Sequence, residues 1–357
     1  MARALVQLVT NLLSAARAKK TIVRTDLRLD AGGTPFAARQ HYLQVIINEM
    51  FLAEERQWFV SYDPVALVAL TYIYDKEQRN VPMVVGPSLF REYAQPADKG
   101  PAGFIIRDKP VTPLIPYQGG PVTLTVVFSA VQKSNMVDKM LKVVEGLANA
   151  ASPVAPTLAI STYLEVADHV MNGVQELFGL SETEPRFAFQ QTINPQINQE
   201  LKPVHVALID ADEQTIDKSQ LFVTERRLRS KPGKDSESYR DNDFVLLQVA
   251  QGEKRTDERL LSFYPLWEKT RDLAAVASTA AAWQDAKAHF NTLKLALLGS
   301  PDLTRPDYIR LRDEYLNEVV QLREEAVKQA DLSIGVPDPE RADLARVAAK
   351  LDALDEM

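Results

Sequence analysis

Asp210 and Asp212 follow the apolar run that opens at His205, which places two carboxylates one residue apart at the end of a predicted strand. Carboxylates so spaced can share a divalent cation, or divide the work of nucleophile and proton carrier. A second group is basic: Arg226, Arg227 and Arg229, with Lys231 and Lys234 after them. It suits phosphate groups or a partner's acidic surface, and equally a solvated strand edge whose charges discourage pairing. Asp235, Glu237, Asp241 and Asp243 follow closely and offset its field. The third is Gly119-Gly120, two residues beyond Tyr117. A phosphate loop needs its glycines after a strand and before a helix. Here they precede "VTLTVVF", and Pro121 removes a donor, so the pair reads as a turn. Tyr117 is then a contact residue if exposed and architecture if buried.

The stretch "HVALIDAD" resembles the nucleophile motif of the haloacid dehalogenase superfamily. The resemblance implies that Asp210 would attack phosphorus and Asp212 handle protons, with Mg²⁺ neutralising the phosphate. Gln214 stands where that family has Thr or Val, and no later predicted strand ends in an acidic pair. The simpler reading makes both aspartates hairpin-loop residues. No resemblance extends across the whole chain.

Other chemistry is excluded by residue type. The chain has no cysteine, which removes disulfides, thiolate nucleophiles and thiolate metal sites. His41, His169, His205 and His289 form neither HxH nor HExxH. No metal, cofactor-binding or catalytic site is therefore expected locally, Asp210 and Asp212 remaining the weak catalytic candidates. A net charge of −7 argues against nucleic acid as a partner.

The elements that must position these residues are α+β. An amphipathic helix is expected over residues 3–18 and a strand at "TIVRTDLRL". Residues 42–75 are ambiguous in their first half and lean to a hairpin in the second. Val122, Leu124, Val126 and Phe128 alternate as one buried face of a strand. Two helices are predicted between residues 134 and 180, then strands at "HVALID", "QLFVTERRLR" and "DFVLLQVA". A single helix is expected from about Leu266 to Leu298, stopped by Gly299 as a left-handed cap. Thr304 and Asp307 suggest a capping box for a second helix, whose Leu311, Tyr315 and Leu322 lie near a heptad seam.

The expected fold is thus a mixed or largely antiparallel sheet with inserted helices, followed by a long C-terminal αα-hairpin. Boundaries are expected as 1–195 and 196–264 for the two parts of the core, 265–332 for the hairpin and 333–357 for a linker and short tail. No 18-residue apolar run occurs, which suggests a cytoplasmic protein. The functional expectation is a non-catalytic interaction or scaffold protein of a bacterial-type complex. It would bind a protein partner or itself through Tyr117, Arg226, Arg227, Arg229, Leu311, Tyr315 and Leu322, without a cofactor. The alternatives are an Mg²⁺-dependent phosphoryl hydrolase using Asp210 and Asp212, and peripheral membrane contact through the N-terminal helix.

Overall fold

Alternating apolar residues account for most of the strands in the computed structural model. It describes residues 21–25, 34–52, 56–57, 60–86, 104–132, 183–197, 200–230 and 237–334. The expected helices over 3–18 and 134–180 and the tail beyond 334 lie outside these residues. The chain divides into two units between Glu253 and Lys254.

All the strand pairs among the described residues of the first unit are antiparallel. One sheet has the order β1 (Thr21–Thr25), β10 (Val204–Ile209), β14 (Phe244–Gly252), β2 (Tyr42–Leu52) and β6 (Phe104–Pro110), and β7 (Ile115–Pro116) also pairs with β2. A second has the order β3 (Arg56–Gln57), β4 (Val60–Tyr74), β8 (Val122–Gln132) and β9 (Thr183–Ile193), with β5 (Glu77–Val85) also on β4. The sheet therefore runs across residue 195. Side chains of both sheets, among them Val45, Ile47, Val206, Leu247, Leu70 and Phe128, form one continuous core.

Two local features explain the ambiguity over residues 42–75. In β2, Leu43, Val45 and Ile47 face the core, then Met50 and Leu52 do. The phase slips because Leu246 pairs with Glu49 and Leu247 with Ile47, leaving Asn48 as a bulge. In β4 both faces are buried from Val65 to Leu70, so alternation disappears. The expected hairpin closes through Asp75 and Lys76, with φ of 48° and 66°.

Gly119 and Gly120 have φ of 88° and 82°, so they form the turn that leads into β8. A Cβ on Gly120 would lie 2.5 Å from Ile73 Cδ1. Gly120→Ala is expected to cost about 1–3 kcal/mol, combining left-handed strain with displacement of Ile73. A shift in the urea midpoint of the β unit checks it.

A third, small sheet of β11 (Leu221–Thr224), β12 (Arg227–Ser230) and β13 (Glu237–Ser238) covers the outer face of the six-stranded sheet. Leu221, Val223, Leu228 and Tyr239 pack on Phe51, Ala207, Phe244 and Leu246. "QLFVTERRLR" is therefore a hairpin and not the single strand expected. Glu225 and Arg226 take φ of 51° and 61° and reverse the chain, a turn that their residue types do not announce.

The described residues of the second unit form three α-helices: α1 (Tyr264–Ala275), α2 (Ala280–Gly299) and α3 (Arg305–Ile334). The helix expected over Leu266–Leu298 is broken at residues 276–279. Thr279 accepts from Ala282 N–H at 3.3 Å and caps α2, while the freed Ala277 carbonyl takes a hydrogen bond from Arg323. Alanines fit either course, so periodicity missed the break. Gly299 ends α2 without a left-handed φ, and Ser300 is its extended cap. The expected capping contact from Thr304 Oγ1 to Asp307 N–H is present at 3.4 Å. Asp307 also accepts from Arg255 N–H at 2.7 Å and from Arg310 Nε at 2.8 Å.

Candidate functional site

Asn48 and Glu49, set on the outer sheet face by the β2 bulge, are the most buried polar groups beneath the β11–β12 hairpin. Glu49 accepts from Arg240 at 2.7 Å and from Leu228 N–H at 3.2 Å, and Arg107 lies 3.8 Å away. The Arg240 guanidinium also stands 4.9 Å from the Phe51 ring centre and 5.8 Å from that of Phe244. At the hairpin tip Arg227 donates to the Asn48 carbonyl at 2.9 Å and forms a bidentate pair with Asp108. The hydrogen bond to Asp108 raises the Arg227 pKa despite its partial burial. Charge thus clamps the hairpin to the sheet. Tyr239 lies on the same face, pushed up to about 12 by burial, with Asp241 adding to it.

One row along from Glu49, His205 on β10 faces Gln248 on β14, and the Gln248 Oε1 accepts from Asn48 Nδ2 at 3.3 Å. His205 is 4% exposed, and neither its Nε2 nor the Asn48 Oδ1 has a hydrogen-bond partner. Burial lowers the His205 pKa to about 4, with the positive charge of Arg226 adding to the effect. The ring is therefore neutral at pH 7.

A lowered folded value makes the neutral ring a stabilising state above the free value of about 6.5, lost as pH falls toward 4. The difference is worth at most about 3 kcal/mol and, after discounting for screening, about 1–2 kcal/mol. His205→Gln is expected to flatten the acid side of the stability profile by that amount between pH 6.5 and 4. Denaturant midpoints across that range, compared with the parent, check it.

The residues singled out from sequence are not gathered in one place. Asp212 is exposed and its carboxylate accepts from Gln214 N–H at 3.0 Å, capping a one-turn helix at residues 213–215. The Asp210 N–H donates to the Asp243 carbonyl at 2.8 Å. Among the described residues no three His, Asp or Glu side chains form a metal cluster. Tyr117 is 6% exposed and its hydroxyl donates to the Gly120 carbonyl at 3.2 Å. That stretch is architecture rather than contact surface. Of the basic group, Arg226 is exposed, Arg227 is the clamp, and Arg229 donates to Ser238 Oγ at 3.0 Å within the small sheet.

In the helical unit Leu311 and Tyr315 are buried and Leu322 is half-buried. Tyr315 stacks on Trp267 with ring centres 4.0 Å apart, so the seam offered to partners is used inside the unit. The outward side of α2 is different. Ala281, Gln284, Asp285, Ala288, Thr292, Leu295 and Leu298 are exposed at steps of three and four, and Asp285 is the one charge among them. Among the described residues, five of the six large exposed apolar side chains, Leu260, Val276, Leu295, Leu298 and Ile309, belong to this unit. Exposed positions of α3 include the charged Arg305, Glu314, Glu318, Glu325 and Lys328 beside the uncharged Ile309, Asn317, Gln321 and Gln329.

No protein-family model, curated protein or solved structure matches this chain. Glu49, His205, Asn48 and the α2 stripe were missed by sequence reasoning. The signal for Glu49 was a lone charge in "VIINEMFL"; for α2 it was a stripe with Asp285 as its one charge, opposite the apolar one.

Proposed function

We propose that the protein is a non-catalytic interaction protein that assembles through the outward face of α2, with a second copy of the chain as the occupant. The observation that carries this reading is the stripe from Ala281 to Leu298, which holds the single charge of Asp285 and ends in Leu295, 69% exposed, and Leu298. The solvent face of α3 carries more charge, with Arg305, Glu314, Glu318, Glu325 and Lys328 among the uncharged Ile309, Asn317, Gln321 and Gln329. Ala281 and Ala288 allow close approach of another helix, and Leu295 and Leu298 supply apolar area at its end. A helix crossing its own copy about a two-fold axis would bury the same stripe on both sides. The catalytic alternative gains no support from Asp212, whose carboxylate is engaged in its own turn. No helix of the described residues is long and apolar enough to cross a membrane.

Size-exclusion chromatography with light scattering tests the proposal. The parent is expected to elute as a discrete assembly above its chain mass of 39.9 kDa. Leu295→Asp with Leu298→Asp should return it to that mass with helicity unchanged, since both side chains already face solvent. A parent that is monomeric at high concentration would refute self-assembly through α2.

A further inference from the structure

We propose that the cluster of His205, Gln248 and Asn48, beneath the hairpin tip that carries Arg226, binds a small oxyanion of the phosphate class that keeps a proton of its own. Two side chains of this cluster are more than nine-tenths buried, each with one polar atom lacking a partner: Nε2 of His205 and Oδ1 of Asn48. Buried polar atoms without partners are rare and costly, and two linked through one glutamine mark a place built for a third participant. Gln248 links them: it lies opposite His205 in register and its side chain accepts from Asn48, the bulged residue of β2. The hairpin tip reaches the same place. Arg227 bonds the Asn48 carbonyl, and the charge of Arg226 is felt at His205.

The donors and acceptors select the ligand. Arg226 favours an anion, because a neutral imidazole leaves its charge uncompensated there. Asn48 Oδ1 only accepts, so the ligand must bring a hydrogen. His205 Nε2 can donate to a ligand oxygen or accept from a ligand O–H, according to its tautomer. Hydrogen phosphate and singly ionised phosphate monoesters have both an anionic oxygen and an O–H. Sulfate has the charge and shape but no proton to give.

Isothermal titration of the full chain at a pH of about 6, where phosphate esters remain partly protonated, tests this. Inorganic phosphate, glycerol phosphate and sulfate are the probes. Phosphate or its ester should bind at least tenfold more tightly than sulfate. The tighter of the two indicates whether the natural ligand is free phosphate or a monoester. Arg226→Asn should weaken binding about tenfold, and it suits the left-handed turn position, so the hairpin is kept. His205→Gln should weaken it as well. Equal affinity for sulfate, unchanged binding by Arg226→Asn in a folded protein, or no binding at millimolar phosphate would overturn the proposal.

Discussion

Glu49→Ala is expected to destabilise the β unit by about 3–5 kcal/mol, the largest effect of any single substitution on it. The side chain is fully buried and accepts from Arg240 and from Leu228 N–H. Removing the carboxylate leaves the Arg240 guanidinium without its anion and a buried backbone N–H without an acceptor. Both lie where the small sheet meets the outer face of the large one. The loss should therefore free β11 and β12 first, since Leu228 is held directly. Glu49→Gln keeps an acceptor for Leu228 and should cost less. In Glu49→Ala with Arg240→Ala the losses should fall well short of additive, because the second substitution removes the charge that the first left unpaired. Urea unfolding followed by circular dichroism gives the energies. Hydrogen exchange at residues 221–230 shows whether the hairpin opens first.

Trp267→Ala is expected to cost the helical unit about 3–5 kcal/mol, enough to unfold a unit of this size near physiological temperature. Trp267 is buried and stacks on Tyr315 with ring planes 5° apart, which ties α1 to α3. No neighbouring side chain can fill the space of an indole without shifting a helix. Tyr315→Phe should be neutral or slightly stabilising by contrast. Burial raises the Tyr315 pKa, with Glu258 adding to it, and its hydroxyl has no partner, so losing the oxygen removes a desolvation cost. Thermal melts read at a helix-sensitive wavelength separate the two outcomes.

The sequence carried the α+β class, most strands and the helical nature of residues 264–334 in its alternation and its steps of three and four. Val122, Leu124, Val126 and Phe128 are the clearest case, since all four are buried as their spacing required. Failures came where a local interaction overrode the pattern. Asn48 shifted the phase of β2 by one residue, and Glu225-Arg226 made a turn without glycine. Thr279 capped a new helix inside a run that would otherwise have continued. The polar groups of the outer sheet face were illegible because they come from β2, β10, β12 and β14, far apart in the chain. His205 is unremarkable in sequence and becomes distinctive only opposite Gln248 and beside Asn48. Asp212 and Tyr117 stood out by type, yet each is accounted for by its own turn.

Hydrogen–deuterium exchange of α2 as a function of protein concentration tests self-assembly through its outward face most directly. Thr292 to Leu298 should become more protected as concentration rises through the assembly range, while the charged outer positions of α3 stay unchanged. Leu295→Asp with Leu298→Asp should abolish the concentration dependence. Protection of α2 that is independent of concentration, in a parent shown to associate, would contradict assembly through this face.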